Sequence, residues 1–415
     1  MKSSLGFDKT LLGVLDFTFL FGYGVGNYLA GPVEDRFGLR VVMPLGMLVS
    51  ACMYFAAMAL GLGDVTTIAP FVVCWAVNGF CQATVWAGTV AVMGNYFTKK
   101  DYGKVIGSWS CNASVGDIMG YGLSGLMLYG SVKWEYITLT AALFMVFIAL
   151  VYMLCIPDHP STAMFENQRK SYSAAALVQE LQPLQANGTQ VRKKGISVIQ
   201  AWMLPGVFVY SMDYAAIKML NYGMMFWLPY YLDNHVGLSF LEISCVSAMF
   251  DVGAIAGSGP VGWMTDRLGS RVLMVTPLLL LALPIFFCFQ FGTHDIFWIY
   301  FILVPGIGLT VSTASNIISG AGAADLARND SVTDNKSEAL ATVTGIMDGT
   351  GAFGAACGTF IMGAISSWTV VFYFLMGVNA IAAIMLLPYT IRDIRKKTWV
   401  KSKKIVNDFD DETQL

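Results

Sequence analysis

The chain alternates long apolar runs with short polar connections. Apolar runs fall at 10–32, 41–61, 68–95, 102–130 and 134–156, then at 203–232, 240–264, 272–291, 296–324, 338–366 and 368–390. A bilayer-crossing helix needs about 20 mostly apolar residues, so every run can span. The longest have length to spare for tilt or for extension beyond the hydrocarbon. The pattern predicts an all-α polytopic membrane protein with 11 transmembrane helices, five before and six after one longer polar stretch. The organisation that follows is an N-terminal bundle over 1–156, a connecting loop over 157–200, a C-terminal bundle over 201–391 and a polar tail over 392–415. Inside the loop, "SAAALVQELQPL" predicts a short surface helix.

Composition sharpens this picture. Of 415 residues 56% are hydrophobic and 13% charged, against about 25% charged in soluble domains. A soluble enzyme, a nucleic-acid binder and a disordered scaffold are excluded. The formal net charge of −2 offers no basic field to a polyanion. All eight cysteines sit inside apolar runs with no disulfide or zinc spacing, and His159, His235 and His294 lie far apart, so no metal or other cofactor is expected. No Ser/His or paired-carboxylate spacing predicts an enzyme. The first apolar run is too long and too polar-studded for a signal sequence and is expected to stay in the membrane.

Placement of Lys and Arg predicts orientation. Loops on one side, with the tail from Arg392, hold 21 of the 25 cationic residues, whereas the other side has Lys2, Lys9 and Lys133, and Lys218 lies within a run. The cation-rich side is therefore expected to be cytoplasmic, with the N-terminus outside and the C-terminus inside. The sequons at Asn187, Asn329 and Asn335 then face the cytoplasm and carry no glycan.

Two connections repeat one pattern 231 residues apart. "GPVEDRFGLR" (Gly31, Asp35, Arg36, Gly38, Arg40) and "GWMTDRLGSR" (Gly262, Asp266, Arg267, Gly269, Arg271) both read G-x-x-x-D-R-x-G-x-R. The expected device is a helix end whose first glycine permits close approach, an Asp/Arg pair that clamps a neighbouring helix, and a second glycine for the tight turn. The repeat also says that the halves are related. Two runs precede Gly262 in its half, but one precedes Gly31, so by internal symmetry one helix is missing at the front.

Ionisable residues at membrane depth are costly and point to function. They are Asp16, Asp117, Asp213, Lys218, Asp251 and Asp348. Helical spacing groups Asp16 with Tyr23 and Asn27, Asp117 with Ser110, Ser114 and Tyr121, and Lys218 with Tyr214, Asn221 and Tyr222. Such stripes suit a water-filled cavity around one cation, and a lone cation there predicts an anionic ligand. The aspartates are candidates for coupling or for pairing within a bundle. Glycines four apart (Gly22/Gly26, Gly116/Gly120, Gly253/Gly257, Gly354/Gly358) predict close helix contacts. Trp134, Trp227 and Trp368, near run ends, read as interfacial anchors.

The repeated loop resembles the signature of the major facilitator superfamily. "LDFTFLFGYGVGNYLAGPVEDRFGLR", "NGFCQATVWAGTVAVMGNYF", "IKMLNYGMMFWLPYYL", "SAMFDVGAIAG" and "ALATVTGIMDGTGAFGAACG" are similar to the eukaryotic sugar-phosphate exchangers of its organophosphate:phosphate antiporter family. The resemblance implies two pseudo-symmetric bundles in the bilayer that exchange a phosphorylated sugar or glycerol phosphate for inorganic phosphate around a midplane site. It implies an endomembrane location. It assigns substrate contact to Lys218, nine residues before Trp227, and matches Asp16, Asp251 and Asp348 to family aspartates. Asn221 stands where bacterial relatives place a phosphate-binding arginine, Trp86 is followed by Ala87 where relatives have proline, and Asp117 replaces an asparagine. The family's first helix, with its phosphate-binding arginine, has no counterpart here; a start placed too late is the expected cause. Two further readings stay open: a proton-coupled facilitator using Asp16 or Asp117, and a non-transporting sensor.

Overall fold

A computed structural model describes residues 5–96, 109, 111–155, 198–292, 297–322 and 336–412. The connecting loop with its surface helix falls almost wholly outside these residues, as do Ser110, His159, His294 and the three sequons. Every regular element among the described residues is helical. In the first half these are α1 (Lys9–Phe37), α2 (Leu39–Leu62), α3 (Ile68–Tyr96), α4 (Asn112–Tyr129) and α5 (Trp134–Cys155). In the second half they are α6 (Val207–Tyr231), α7 (Phe240–Leu268), α8 (Val272–Gly292), a composite α9 (297–322), α10 (Lys336–Ala364) and α11 (Trp368–Glu412).

Within the described residues each apolar run became a helix or part of one, and seven helices there are long and apolar enough to cross a membrane by length and composition. The others are α1, α4, α6 and α10, of which α1, α4 and α6 carry the polar stripes grouped above and α10 carries Asp348. α9 is not one regular helix. Pro305 removes a backbone donor inside it, and π turns follow at Gly308–Ser312 and Ile317–Gly322. The last helix, α11, runs on past 391 through the polar tail to Glu412, with no glycine or proline after Pro388 to stop it.

Within the first half α1 packs on α3, and α2 on α3 and α5; in the second, α6 packs on α10 and α11, and α7 on α9. The halves meet along two seams, α1 against α10 and α4 against α7. Glycines set how close these helices come. A Cβ on Gly22 or Gly26 would collide with α3, and one on Gly354 or Gly358 with Ala215 or Met219 of α6. The pair Gly116/Gly120 on α4 breaks this pattern, since nothing stands within 4 Å of either position.

The repeated motif is also built differently from expectation. α1 and α7 run straight through Gly31 and Gly262, and neither glycine has a close neighbour. The second glycine makes each stop: Gly38 (φ 84°) and Gly269 (φ 60°, ψ 26°) take conformations that side chains resist. Gly269→Ala should therefore cost about 1–2 kcal/mol, while Gly262→Ala costs nothing, as compared by thermal unfolding in detergent. Arg40 reaches the Met153 carbonyl of α5 at 3.2 Å, so the clamp on a neighbour comes from the motif's last arginine. Arg271 instead donates to Thr265 (2.8 Å), Arg267 lies 3.7 Å over the Trp263 ring, and Arg36 faces Phe37 at 5.5 Å. The side chains of Asp35 and Asp266 are not among those described.

Candidate functional site

α6 has helix-forming residues throughout its centre, and its polar positions recur with the helical period, so Tyr214, Lys218, Asn221 and Tyr222 project to neighbouring sides. Lys218 is 6% exposed, and its Nζ lies 3.3 Å from Asp348 Oδ1 on α10, which is 3% exposed. Tyr214 donates to the same oxygen at 3.1 Å. Trp86 Nε1, on α3 of the other half, donates to Oδ2 at 3.2 Å. Three rings, Tyr214, Tyr23 and Tyr222, stand 5.1, 5.7 and 5.9 Å from the ammonium, within cation–π range. The cation expected to be alone is therefore ion-paired. Two runs 130 residues apart in sequence supply the partners, and only the packing of α6 on α10 joins them.

In front of this pair lies a cavity of roughly 740 Å³ between the halves. Tyr23, Tyr222 and Trp86 form the part of its wall that touches Lys218 or Asp348, and Asp16 contributes a carboxylate to the same space. No lysine or arginine is on the described wall, so the cation sits one layer behind it. Neither carboxylate oxygen of the fully buried Asp213 has a partner among the described residues.

The other candidates fall into place around this centre. Asn221 accepts from Ser312 of α9 at 2.6 Å, which fixes α6 to α9 rather than presenting Asn221 to the cavity. Asn27 is buried and donates to the Tyr23 carbonyl one turn back (3.0 Å), supporting that tyrosine. Asp251, on the α7 helix that packs against α4, is 4% exposed, and its Oδ2 is buried with no partner among the described residues. Tyr121 donates to the Met225 carbonyl of α6 at 3.0 Å. Trp227 is not an interfacial anchor: it is 3% exposed, packed among Tyr230 and Trp368. Lys9 caps that cluster, donating to the Ile365 carbonyl (2.7 Å) with its ammonium 3.9 Å from the Trp368 ring. This closes one end of the α1–α10 seam, and Tyr28, bonded to Thr350 at 2.7 Å, holds it farther along.

Trp86 was not anticipated as a site residue, although a signal for it exists. Asn78, Gln82, Trp86 and Thr89 follow helical spacing along α3 and all line the cavity. This stripe is uncharged, and a search led by ionisable groups passes over it.

The chain matches the family described as "Major Facilitator Superfamily" over residues 1–331 and again over 204–407. It is 35% identical to "Sugar phosphate exchanger 3" of Bos taurus, covering 96% of this chain and 83% of that protein. The corresponding protein of Xenopus laevis is 34% identical, with 95% and 81% covered. Among solved structures, a D-xylose-proton symporter superposes with a TM-score of 0.66 at 12% identity, covering 91% and 87% of the two chains.

Proposed function

We propose, from the premise that this chain belongs to the major facilitator superfamily, that it is a membrane transporter exchanging a phosphorylated sugar or glycerol phosphate for inorganic phosphate by alternating access. It is not an enzyme: it changes where its substrate is and leaves the bonds intact. The observation that carries the reading is the buried Lys218 held by Asp348, with Trp86 of the opposite half bonded to the same carboxylate.

The geometry supports a mechanism. With no anion bound, Asp348 satisfies the ammonium. A phosphate entering between Tyr23 and Tyr222 brings more charge than a carboxylate and competes for Lys218. Displaced from the lysine, Asp348 also loosens from Trp86, so occupancy at the site weakens a bond between the halves. Binding energy thereby reaches the seam whose separation opens the cavity. An anion is required for this exchange of partners, and the cavity is of a size typical for small solutes.

The test is counterflow. Proteoliposomes loaded with inorganic phosphate are expected to take up labelled phosphate, and unlabelled sugar phosphates or glycerol phosphate inside should stimulate that uptake. Absence of trans-stimulation by every organophosphate tried would sink the reading. The bias of Lys and Arg supports a cytoplasmic C-terminus, and resemblance supports an endomembrane; protease protection of an epitope placed after Leu415 in sealed microsomes checks both.

A further inference from the structure

The uncharged polar stripe of α3 is used differently from other amides in the bundle. Asn221 is bonded to Ser312 of α9, and Asn379 of α11 donates to the Leu279 carbonyl of α8, so each ties two helices together. Gln82 Nε2 instead donates to Asn78 Oδ1 at 3.0 Å, one turn back on its own helix. That bond holds no helix to another. It takes one N–H of Gln82 and one lone pair of Asn78. An amide side chain carries two N–H donors and a carbonyl with two lone pairs, so the pair keeps donors and acceptors beyond their mutual bond. Both residues line the cavity, with Asn78 at 3% exposure and Gln82 half-buried.

The fold does not require amides there. Phe19 of α1 and Phe250 of α7 are 231 residues apart, the spacing of the repeated motif. A Cβ on Gly79 of α3 would strike the Phe19 carbonyl, and one on Gly308 of α9 would strike the Phe250 carbonyl. These matching contacts pair Gly79 with Gly308. The residue before the glycine is Asn78 in α3 and Ile307 in α9, and the third after it is Gln82 in α3 and Val311 in α9. Ile307 and Val311 are fully buried in the apolar core of the second half. Polar side chains at membrane depth are costly, and the related half carries β-branched apolar residues at both places.

The surroundings of the amides select what they hold. Gln82 and Asn78 follow Trp86 at one and two turns, about 6 and about 12 Å along α3. Trp86 itself is bonded to Asp348, beside the lysine that draws the anion. Ionised phosphate oxygens only accept hydrogen bonds, whereas a hydroxyl donates and accepts as an amide does. Trp75, Trp86 and Trp109 line the same cavity, the last two with ring centroids 5.1 Å apart, and offer flat apolar faces. A sugar ring matches both features, with hydroxyls around its rim and C–H groups on its faces; glycerol has no such face. We infer that Asn78 and Gln82 read the hydroxyls of the transported molecule and make the site prefer a phosphorylated sugar ring to glycerol phosphate. The phosphate lies against Tyr23 and Tyr222 in front of Lys218, and the ring extends along α3 to the two amides. This rests on the exchanger reading and narrows its substrate.

The experiment compares the wild type with N78I, Q82V and N78I/Q82V, which give α3 the residues that α9 carries. Proteoliposomes loaded with inorganic phosphate take up labelled phosphate in competition with unlabelled phosphate, glucose 6-phosphate or glycerol 3-phosphate. The readout is the half-inhibiting concentration of each organophosphate divided by that of phosphate, a ratio that loss of folded protein does not move. In the wild type this ratio is expected to be lower for glucose 6-phosphate than for glycerol 3-phosphate. For glucose 6-phosphate it should rise about tenfold with each amide removed, the scale of one lost hydrogen bond. Ratios that stay at the wild-type values, or that rise equally for both organophosphates, overturn the proposal. Calorimetric titration of the purified proteins with glucose 6-phosphate needs no transport. Binding about tenfold weaker in each single variant is expected; equal affinities, or no binding by the wild type, overturn the assignment. If the wild type exchanges no phosphate, the exchanger reading fails, while the titration still decides whether the amides hold the sugar.

Discussion

Lys218→Ala is expected to abolish phosphate counterflow, and to do so by two separable effects. The first is loss of the anion's charge-assisted contact, about 1.5–3 kcal/mol, or about 10- to 100-fold in affinity. The second falls on the protein itself. Asp348 is 3% exposed and accepts from Lys218, Tyr214 and Trp86. Removing the lysine leaves its charge buried without compensation, a change that costs about 3–5 kcal/mol in other buried pairs. A single variant cannot tell a lost ligand contact from a collapsed site. Lys218→Met combined with Asp348→Asn can, because it removes both charges and keeps the volume. The pair variant should recover most of the thermal stability lost in Lys218→Ala and recover none of the exchange. Near-normal uptake by either protein would refute the assignment of Lys218 to the anion.

Gly253→Val is expected to prevent accumulation of folded protein. A Cβ there would fall on the carbonyl and Cα of Pro305 in α9, and a Cβ on Gly308 would fall on the Phe250 carbonyl of α7. The two helices thus touch backbone to backbone from both sides, and backbone cannot turn away as a side chain can. Overpacking costs about 1–3 kcal/mol and occasionally more, and the contact supports the helix that carries Asp251. Gly259→Ala on the same helix is the control, since nothing lies within 4 Å of that position. Size-exclusion profiles and melting in detergent decide the matter. A monodisperse Gly253→Val protein that melts with the wild type would show that α9 yields.

Much of the site was legible in the stripes. Tyr214, Lys218 and Tyr222 were grouped by spacing, and they do gather around one cation. The partner of that cation was not legible, because α10 is distant in sequence and its Asp348 looks the same there whether it pairs or not. The roles of Asn221 and Asn27 also turned on neighbours: one is spent on Ser312, the other on its own helix. Glycine pairs show the same limit. Gly253/Gly257 and Gly116/Gly120 share a spacing, yet one pair is pressed against α9 and the other faces nothing within 4 Å.

By itself the sequence determined which segments are helices and that the chain belongs in a bilayer. Burying apolar length and satisfying backbone hydrogen bonds within each segment are local matters, written into runs of about 20 residues. It determined the kinship of the halves as well, through the motif at Gly31 and Gly262. The tertiary structure alone decided which charges meet. Lys218 with Asp348 and Trp86 with that same carboxylate are contacts between helices, fixed by the register at which glycines let them pack. A charge's effect falls off over a few ångströms of protein and solvent, so its chemistry belongs to those neighbours and not to its place in the chain.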